Sequence, residues 1–224
     1  MSLSESSALM FLVTEISALD VDSSSVTMNL NGRELYLNIN LPAVYNIYNA
    51  AGAAAALDCF RFQRAEIANA LAGFDCGFGR MEKFDLEGTP GRMMLVKNPA
   101  GCNQVMRYLA ALKDPATFVV CLNDNDADGT DISWIWDADF ERLATMEDRL
   151  AHVLVSGVRA EDMALRLKYA GVPSDRMEII HDYSALVERM CQSEHRVYIM
   201  PTYTAMLDLR SMLQKRLGGK EFWE

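Results

Sequence analysis

Thr117-Phe118-Val119-Val120-Cys121-Leu122, running straight into Asn123-Asp124-Asn125-Asp126-Ala127-Asp128-Gly129-Thr130-Asp131, is the stretch on which the fold turns. The short apolar run reads as a buried strand, and the polar run as the loop it delivers at its carboxyl end. In open α/β sheets such loops are where chemistry collects. Outward from this point the chain alternates. Strands are expected over residues 93–97, 117–122, 151–156, 177–180 and 197–200, and helices over 102–113, 160–170, 183–191 and 204–217. Short apolar strands separated by amphipathic helices predict an α/β fold, a Rossmann-like, mostly parallel sheet with helices on both faces.

Upstream the pattern changes to a smaller α+β unit. Residues 8–40 turn like a β region, with Asn31-Gly32 suited to a type I′ hairpin. Pro42 is placed to open a helix at its first turn, an alanine-rich helix follows over 43–60, and a second covers 64–72. Gly88-Thr89-Pro90-Gly91 reads as a turn at the domain boundary. The expected organisation is a disordered end or tag at 1–7, a first unit at 8–90 and the α/β domain at 91–224.

Composition narrows the partners. A formal charge of -10 on 224 residues argues against general nucleic-acid or membrane-surface binding, each of which needs a basic face. No apolar stretch is long enough to span a bilayer, and the first residues lack the basic start of a signal peptide. The five cysteines contain no C-x-x-C pair, and Cys59, Cys121 and Cys191 read as buried thiols of a reducing cytoplasm. His152, His181 and His195 show no ligand spacing and read as structural or solvated. Neither G-x-G-x-x-G after a strand nor G-x-x-x-x-G-K-[ST] occurs, so dinucleotide and P-loop binding are not encoded here.

Three constellations carry candidate chemistry. In the first, five aspartates lie between Asp124 and Asp137, and Asp124, Asp126, Asp128 and Gly129 match positions 1, 3, 5 and 6 of an EF-hand loop. Ile135 stands where the bidentate Glu should be, so no metal ligand is assigned. The loop also suits a solvated connection rich in Asx turns, or a contact surface using Trp134 and Trp136. In the second, Lys97-Asn98-Pro99-Ala100-Gly101-Cys102-Asn103 either cradles an anion at a helix entrance or is a capped strand-to-helix turn. The third joins Tyr45-Asn46-Ile47-Tyr48-Asn49, whose asparagines three apart are expected on one helix face, with Gly79-Arg80-Met81-Glu82.

These segments, in this order and at these separations, resemble the MurT family, the Mur-ligase-like subunit of lipid II isoglutaminyl synthase. Most specific are Leu95-Val96-Lys97-Asn98-Pro99-Ala100-Gly101 and Asp128-Gly129-Thr130-Asp131-Ile132-Ser133-Trp134-Ile135-Trp136-Asp137. The resemblance implies that the first unit is the closing part of a Mur ligase central, ATP-using domain. It also implies a GatD-type glutaminase as partner and lipid II as substrate. ATP and Mg activate the α-carboxylate of D-glutamate in the stem peptide, and ammonia from glutamine converts it to the amide, on the cytoplasmic face of the membrane. By the same resemblance Asp131, with Asp128 as runner-up, completes the glutaminase triad across the interface. Asn49 and Arg80 contact the nucleotide, Asn46 is structural, and Lys97 either faces the acyl-phosphate or substrate carboxylate or is a buried or helix-capping lysine. The family's phosphate loop, magnesium ligands and zinc-ribbon cysteines have no counterpart in this sequence, so a truncated, by itself inactive ligase without tight ATP binding is expected. The competing expectation is a non-catalytic module whose Asp-rich loop docks a partner or a cation.

Overall fold

A computed structural model describes residues 11–74 and 79–217. The residues expected to be a disordered end or tag lie outside these. The chain divides into two compact units, Met1–Asp75 and Cys76–Glu224.

In the first unit, β1 (Phe11–Leu19), β2 (Ser24–Leu30) and β3 (Arg33–Ile39) form an antiparallel sheet in that order. Asn31 and Gly32, at φ 52 and 80, close the β2–β3 hairpin with Leu30 opposite Arg33, which is the geometry of a type I′ turn. Alternate residues Val26, Met28 and Leu30 of β2, and Leu35, Leu37 and Ile39 of β3, are buried. Two helices follow, α1 (Val44–Cys59) and α2 (Arg64–Ala72). Pro42 does not open α1, because Ala43 sits at φ 74, outside right-handed helical space. A reciprocal Gln63/Glu66 capping box starts α2.

The second unit runs β4 (Arg80–Leu86), β5 (Thr89–Met94), α3 (Pro99–Ala110), β6 (Ala116–Cys121), α4 (Glu141–Ala144), β7 (Leu150–Ser156), α5 (Ala160–Tyr169), β8 (Met177–Ile179), α6 (Tyr183–Cys191), β9 (Arg196–Pro201) and α7 (Tyr203–Leu217). Its six-stranded sheet has the order β4-β5-β9-β6-β7-β8, parallel except for β4. All six residues of β6 are buried. Its two faces pack differently: Val119 and Cys121 join Leu186, Val187, Met190, Met206 and Leu209 of α6 and α7, while Phe118 stacks on Tyr198, which meets Tyr108 of α3 edge-on. Each fully buried apolar side chain contributes about 1.5–3 kcal/mol, so this double-sided core makes β6 a rigid support for the loop it delivers.

Residues 80–90, grouped with the first unit from the sequence, pair instead with the second. Glu87 and Gly88, at φ 56 and 100, turn β4 back on β5 with Leu86 opposite Thr89, and Pro90 lies inside β5 opposite Asp85. The Gly/Pro cluster correctly signals a chain reversal, but a reversal does not say which sheet receives the strands.

Candidate functional site

The last crossover brings β9 back between β5 and β6, so the carboxyl ends of β9, β6 and β7 lie side by side. This is the switch point of the sheet. Gly157, at φ 99, permits the tight exit from β7; a Cβ there would stand 2.4 Å from the Leu122 carbonyl oxygen. Asn123 is buried and ties the three strand ends together. Its backbone N–H donates to Thr202 Oγ1 (2.9 Å), its side-chain amide donates to Thr204 Oγ1 (2.9 Å), and its side-chain oxygen accepts from the Val158 N–H (2.8 Å).

The aspartates that follow are dealt to different partners. Asp124 takes the Arg159 guanidinium at 2.6 Å. Asp128 accepts the backbone N–H and the hydroxyl of Thr204, at 2.8 and 2.5 Å, and so caps the start of α7. Asp131 Oδ1 accepts the Ser133 N–H at 2.8 Å, and this bond holds its carboxyl below the usual aspartate range although the side chain is exposed. Asp126 and Asp137 are exposed. The calcium pattern therefore does not close: positions 1 and 5 point at a guanidinium and a helix end. Among the described residues no group of three or more His, Cys, Asp or Glu could hold a metal ion.

Past Asp131 the chain makes a 3-10 turn, Ser133–Trp136, and that turn is held by a residue the sequence reading missed. Arg166 of α5 is 3 % exposed. Its Nε donates to the Ile135 carbonyl (2.9 Å), and one terminal nitrogen donates to the Ala138 carbonyl (2.8 Å) and to both Glu141 oxygens (2.8 and 2.9 Å). The guanidinium carbon also lies 5.5 Å from the Trp136 ring and 5.6 Å from that of Phe140. The available signal was its position: Arg166 shares the apolar face of α5 with Met163, Leu167 and Ala170, where a solvated arginine would not sit.

The other candidates separate. Asn46 is buried and donates to the Pro42 carbonyl at 2.6 Å, whereas Asn49 is exposed. Three residues advance a helix by about 300°, and the remaining 60° or so is enough to split the pair across the edge of the buried face. Arg80 is exposed at the start of β4, next to a bulge at which Met81 takes φ 61; Glu82 of the same segment pairs with Arg210 at 2.9 Å. Asn49 belongs to the first unit and Arg80 to the second. Lys97 is exposed, and the segment after it is a capped turn: Asn98 accepts the Gly101 N–H at 2.8 Å, with Pro99 opening α3. Cys121 is buried as expected, Cys191 is half-buried, and Cys59 is exposed at the end of α1, contrary to its buried reading. Burial pushes the Cys102 thiol up to about 12 and raises that of Cys121 further still, so neither is a nucleophile at neutral pH. His181 stays exposed and pairs with Glu161.

The sequence profile of the MurT ligase C-terminal family matches residues 95–206, from the end of β5 into α7. The chain belongs to this family. It is 35 % identical over 191 residues to the MurT subunit of the glutamine-hydrolysing lipid II isoglutaminyl synthase of Streptococcus pneumoniae, covering 84 % of this chain and 41 % of that one. Against the corresponding Staphylococcus aureus subunit it is 34 % identical over 192 residues, covering 83 % and 43 %. The chain thus spans less than half the length of these MurT relatives. In fold it is similar to the UDP-N-acetylmuramate-alanine ligase MurC of Thermotoga maritima (TM-score 0.68, 15 % identity, 92 % of this chain and 45 % of that one). It is also similar to the Mycobacterium tuberculosis folylpolyglutamate synthase complexed with ADP and AMPPCP (TM-score 0.63, 19 % identity, 94 % and 48 %). These likenesses place both units in the Mur ligase-like α/β fold, as the sequence predicted. No helix among the described residues is long and apolar enough to cross a membrane.

Proposed function

We propose that the chain is the MurT-like part of a glutamine-dependent, ATP-dependent lipid II isoglutaminyl synthase, which amidates the α-carboxylate of D-glutamate in the peptidoglycan stem peptide at the cytoplasmic face of the membrane. Its second unit docks a GatD-type glutaminase and lends Asp131 to the partner's cysteine–histidine pair. The observation that carries this reading is the division of labour in the loop. Asp124 and Asp128 are engaged by Arg159 and Thr204, while Asp131 is exposed, as Asp126 and Asp137 are, and a local N–H donor lowers its carboxyl further below neutrality. An orienting carboxylate needs those properties: it must reach a histidine, fix its tautomer and stabilise the imidazolium that forms as the cysteine loses its proton. Asp128, spent on the α7 cap, fits the role less well.

ATP and Mg belong to the proposed activity of the whole subunit. Asn49 and Arg80 are each exposed and suit adenosine or ribose contacts, but this chain offers no glycine-rich cradle and lysine for the phosphates. The residues present therefore do not fit the triphosphate, and no phosphoryl step is derived from them.

The test is reconstitution of the full-length subunit with its glutaminase and replacement of Asp131 by Asn. Glutamine hydrolysis is expected to fall by a factor on the order of 10³–10⁴, as when a triad carboxylate is neutralised, with the complex intact. Hydrolysis at the original rate in an intact complex would remove the catalytic assignment and leave a docking module.

A further inference from the structure

Beyond Asp131, α5 and the 3-10 turn share an exposed aromatic face. Trp136 is 52 % exposed, yet its ring is fixed from beneath by the buried Arg166 guanidinium and from the side by Tyr169, whose ring centre lies 5.9 Å away at 63°. Tyr169 is 73 % exposed, and Leu165, one helical turn earlier on the same side of α5, is 48 % exposed. A large aromatic side chain held rigid while its outer face meets water has little conformational freedom left to lose when covered, which is the property of an interface anchor. We infer that Leu165, Tyr169 and Trp136 form the anchor patch on which the glutamine-hydrolysing subunit docks; this deepens, and rests on, the function proposed above.

Three observations select that occupant. The MurT relatives are named as subunits of a glutamine-hydrolysing synthase, so a second polypeptide is part of their assembly. The patch is continuous with the carboxylate meant for that polypeptide: Trp136 follows Asp131 by five residues, four of them in a 3-10 turn, about 10 Å of chain at the rise of such a turn. Finally, the loop side of the patch is acidic, with Asp131 and Asp137 exposed beside the turn on a chain of formal charge -10, while α5 adds the exposed Lys168 next to Tyr169. The partner face that fits is an apolar recess rimmed by cationic side chains, and an anionic membrane surface is disfavoured.

The experiment measures the affinity of the full-length subunit for the glutaminase encoded in the same genome, by calorimetry, for wild type, Trp136→Ala, Leu165→Glu, Tyr169→Glu and Asp131→Asn. Leu165→Glu and Tyr169→Glu alter exposed positions and keep the test valid if Trp136→Ala fails to fold. The expected result is a Kd raised about 30-fold or more by the patch variants, the size of a hot-spot loss, and little changed by Asp131→Asn, which instead removes glutamine hydrolysis. Patch variants that bind like wild type overturn the anchor assignment while leaving the Asp131 reading intact. A wild-type subunit that does not bind the glutaminase overturns both.

Discussion

The carboxylate of Asp128 accepts both the backbone N–H and the hydroxyl of Thr204, at 2.8 and 2.5 Å, across a sequence separation of 76 residues. One side chain thereby caps the last helix and anchors the middle of the aspartate loop. The negative charge at a helix N-terminus adds to the hydrogen bonds. Asp128→Ala is expected to lower unfolding free energy by about 1–2 kcal/mol, the usual worth of a lost cap, read from urea denaturation. Asp128→Asn, which keeps an acceptor oxygen, should cost less.

Arg166→Met should cost about 2–4 kcal/mol, because the Ile135 and Ala138 carbonyls lose their donor inside residues that are themselves 1 % exposed. Arg166→Lys should rescue little, since one ammonium cannot reproduce the planar fork that spans both carbonyls and Glu141. Denaturation curves give the energies. Tryptophan fluorescence should shift in Arg166→Met, where Trp136 loses the cation beneath its ring, and less in Arg166→Lys, which keeps a charge.

Asp131 should titrate below the ordinary aspartate value in a carbon-detected NMR pH series, because the Ser133 N–H favours its charged form. The sign follows from that lowering. The Asp131–Ser133 bond is fully formed above the unfolded-state pKa and is lost as pH falls through the lower folded-state value, so the turn should loosen only in acid. Ser133→Pro, which deletes the donor, should bring the midpoint back toward the ordinary value.

Gly157→Ala should be among the most damaging single-methyl additions in the chain. It forces φ 99 on an L side chain and puts the new Cβ 2.4 Å from the Leu122 carbonyl oxygen and 2.8 Å from the Asn123 side-chain oxygen. A loss well above the roughly 1 kcal/mol of an ordinary glycine penalty is expected in denaturant melts, together with release of the strand ends that Asn123 joins.

Thiol chemistry offers a check on burial. Cys59, exposed at the end of α1, should react with a water-soluble disulfide reagent at pH 8 in the native protein, whereas Cys102 and Cys121 should react only on unfolding. The Cys59→Ser variant identifies the fast component.

Much of this architecture is legible along the chain. The helix at 183–191 was expected at the residues it occupies, and β6, β7, α5, β9 and α7 lie within a residue or so of their expected bounds. Apart from Pro42, whose helix start fails locally at Ala43, the failures concern what covers or pairs with a segment. Cys59 was read as buried from an apolar helical pattern, yet it falls at the helix end where the pattern stops being covered. The 80–90 segment was assigned by its turn, yet its allegiance was decided by pairing with β5, whose other edge meets β9. Asn46 and Asn49 were read as one face and are divided by the edge of the core.

Periodicity and turn residues act between neighbours a few residues apart, so strand and helix order and the Asn31–Gly32 hairpin could be read directly from the sequence. By contrast, α3 begins at Pro99, three residues before the expected 102, with Asn98 as a cap the sequence left open against an anion cradle. The roles within the aspartate loop could not be read from the sequence, because they depend on groups that arrive from elsewhere: Arg159, 35 residues beyond Asp124, Thr204, 76 beyond Asp128, and Arg166, 31 beyond Ile135. Asp124 and Asp128 are engaged by groups far along the chain, whereas Asp131 takes only the neighbouring Ser133 N–H. Only the folded sheet, by bringing the ends of β6, β7 and β9 together, distributes those partners and leaves Asp131 facing solvent.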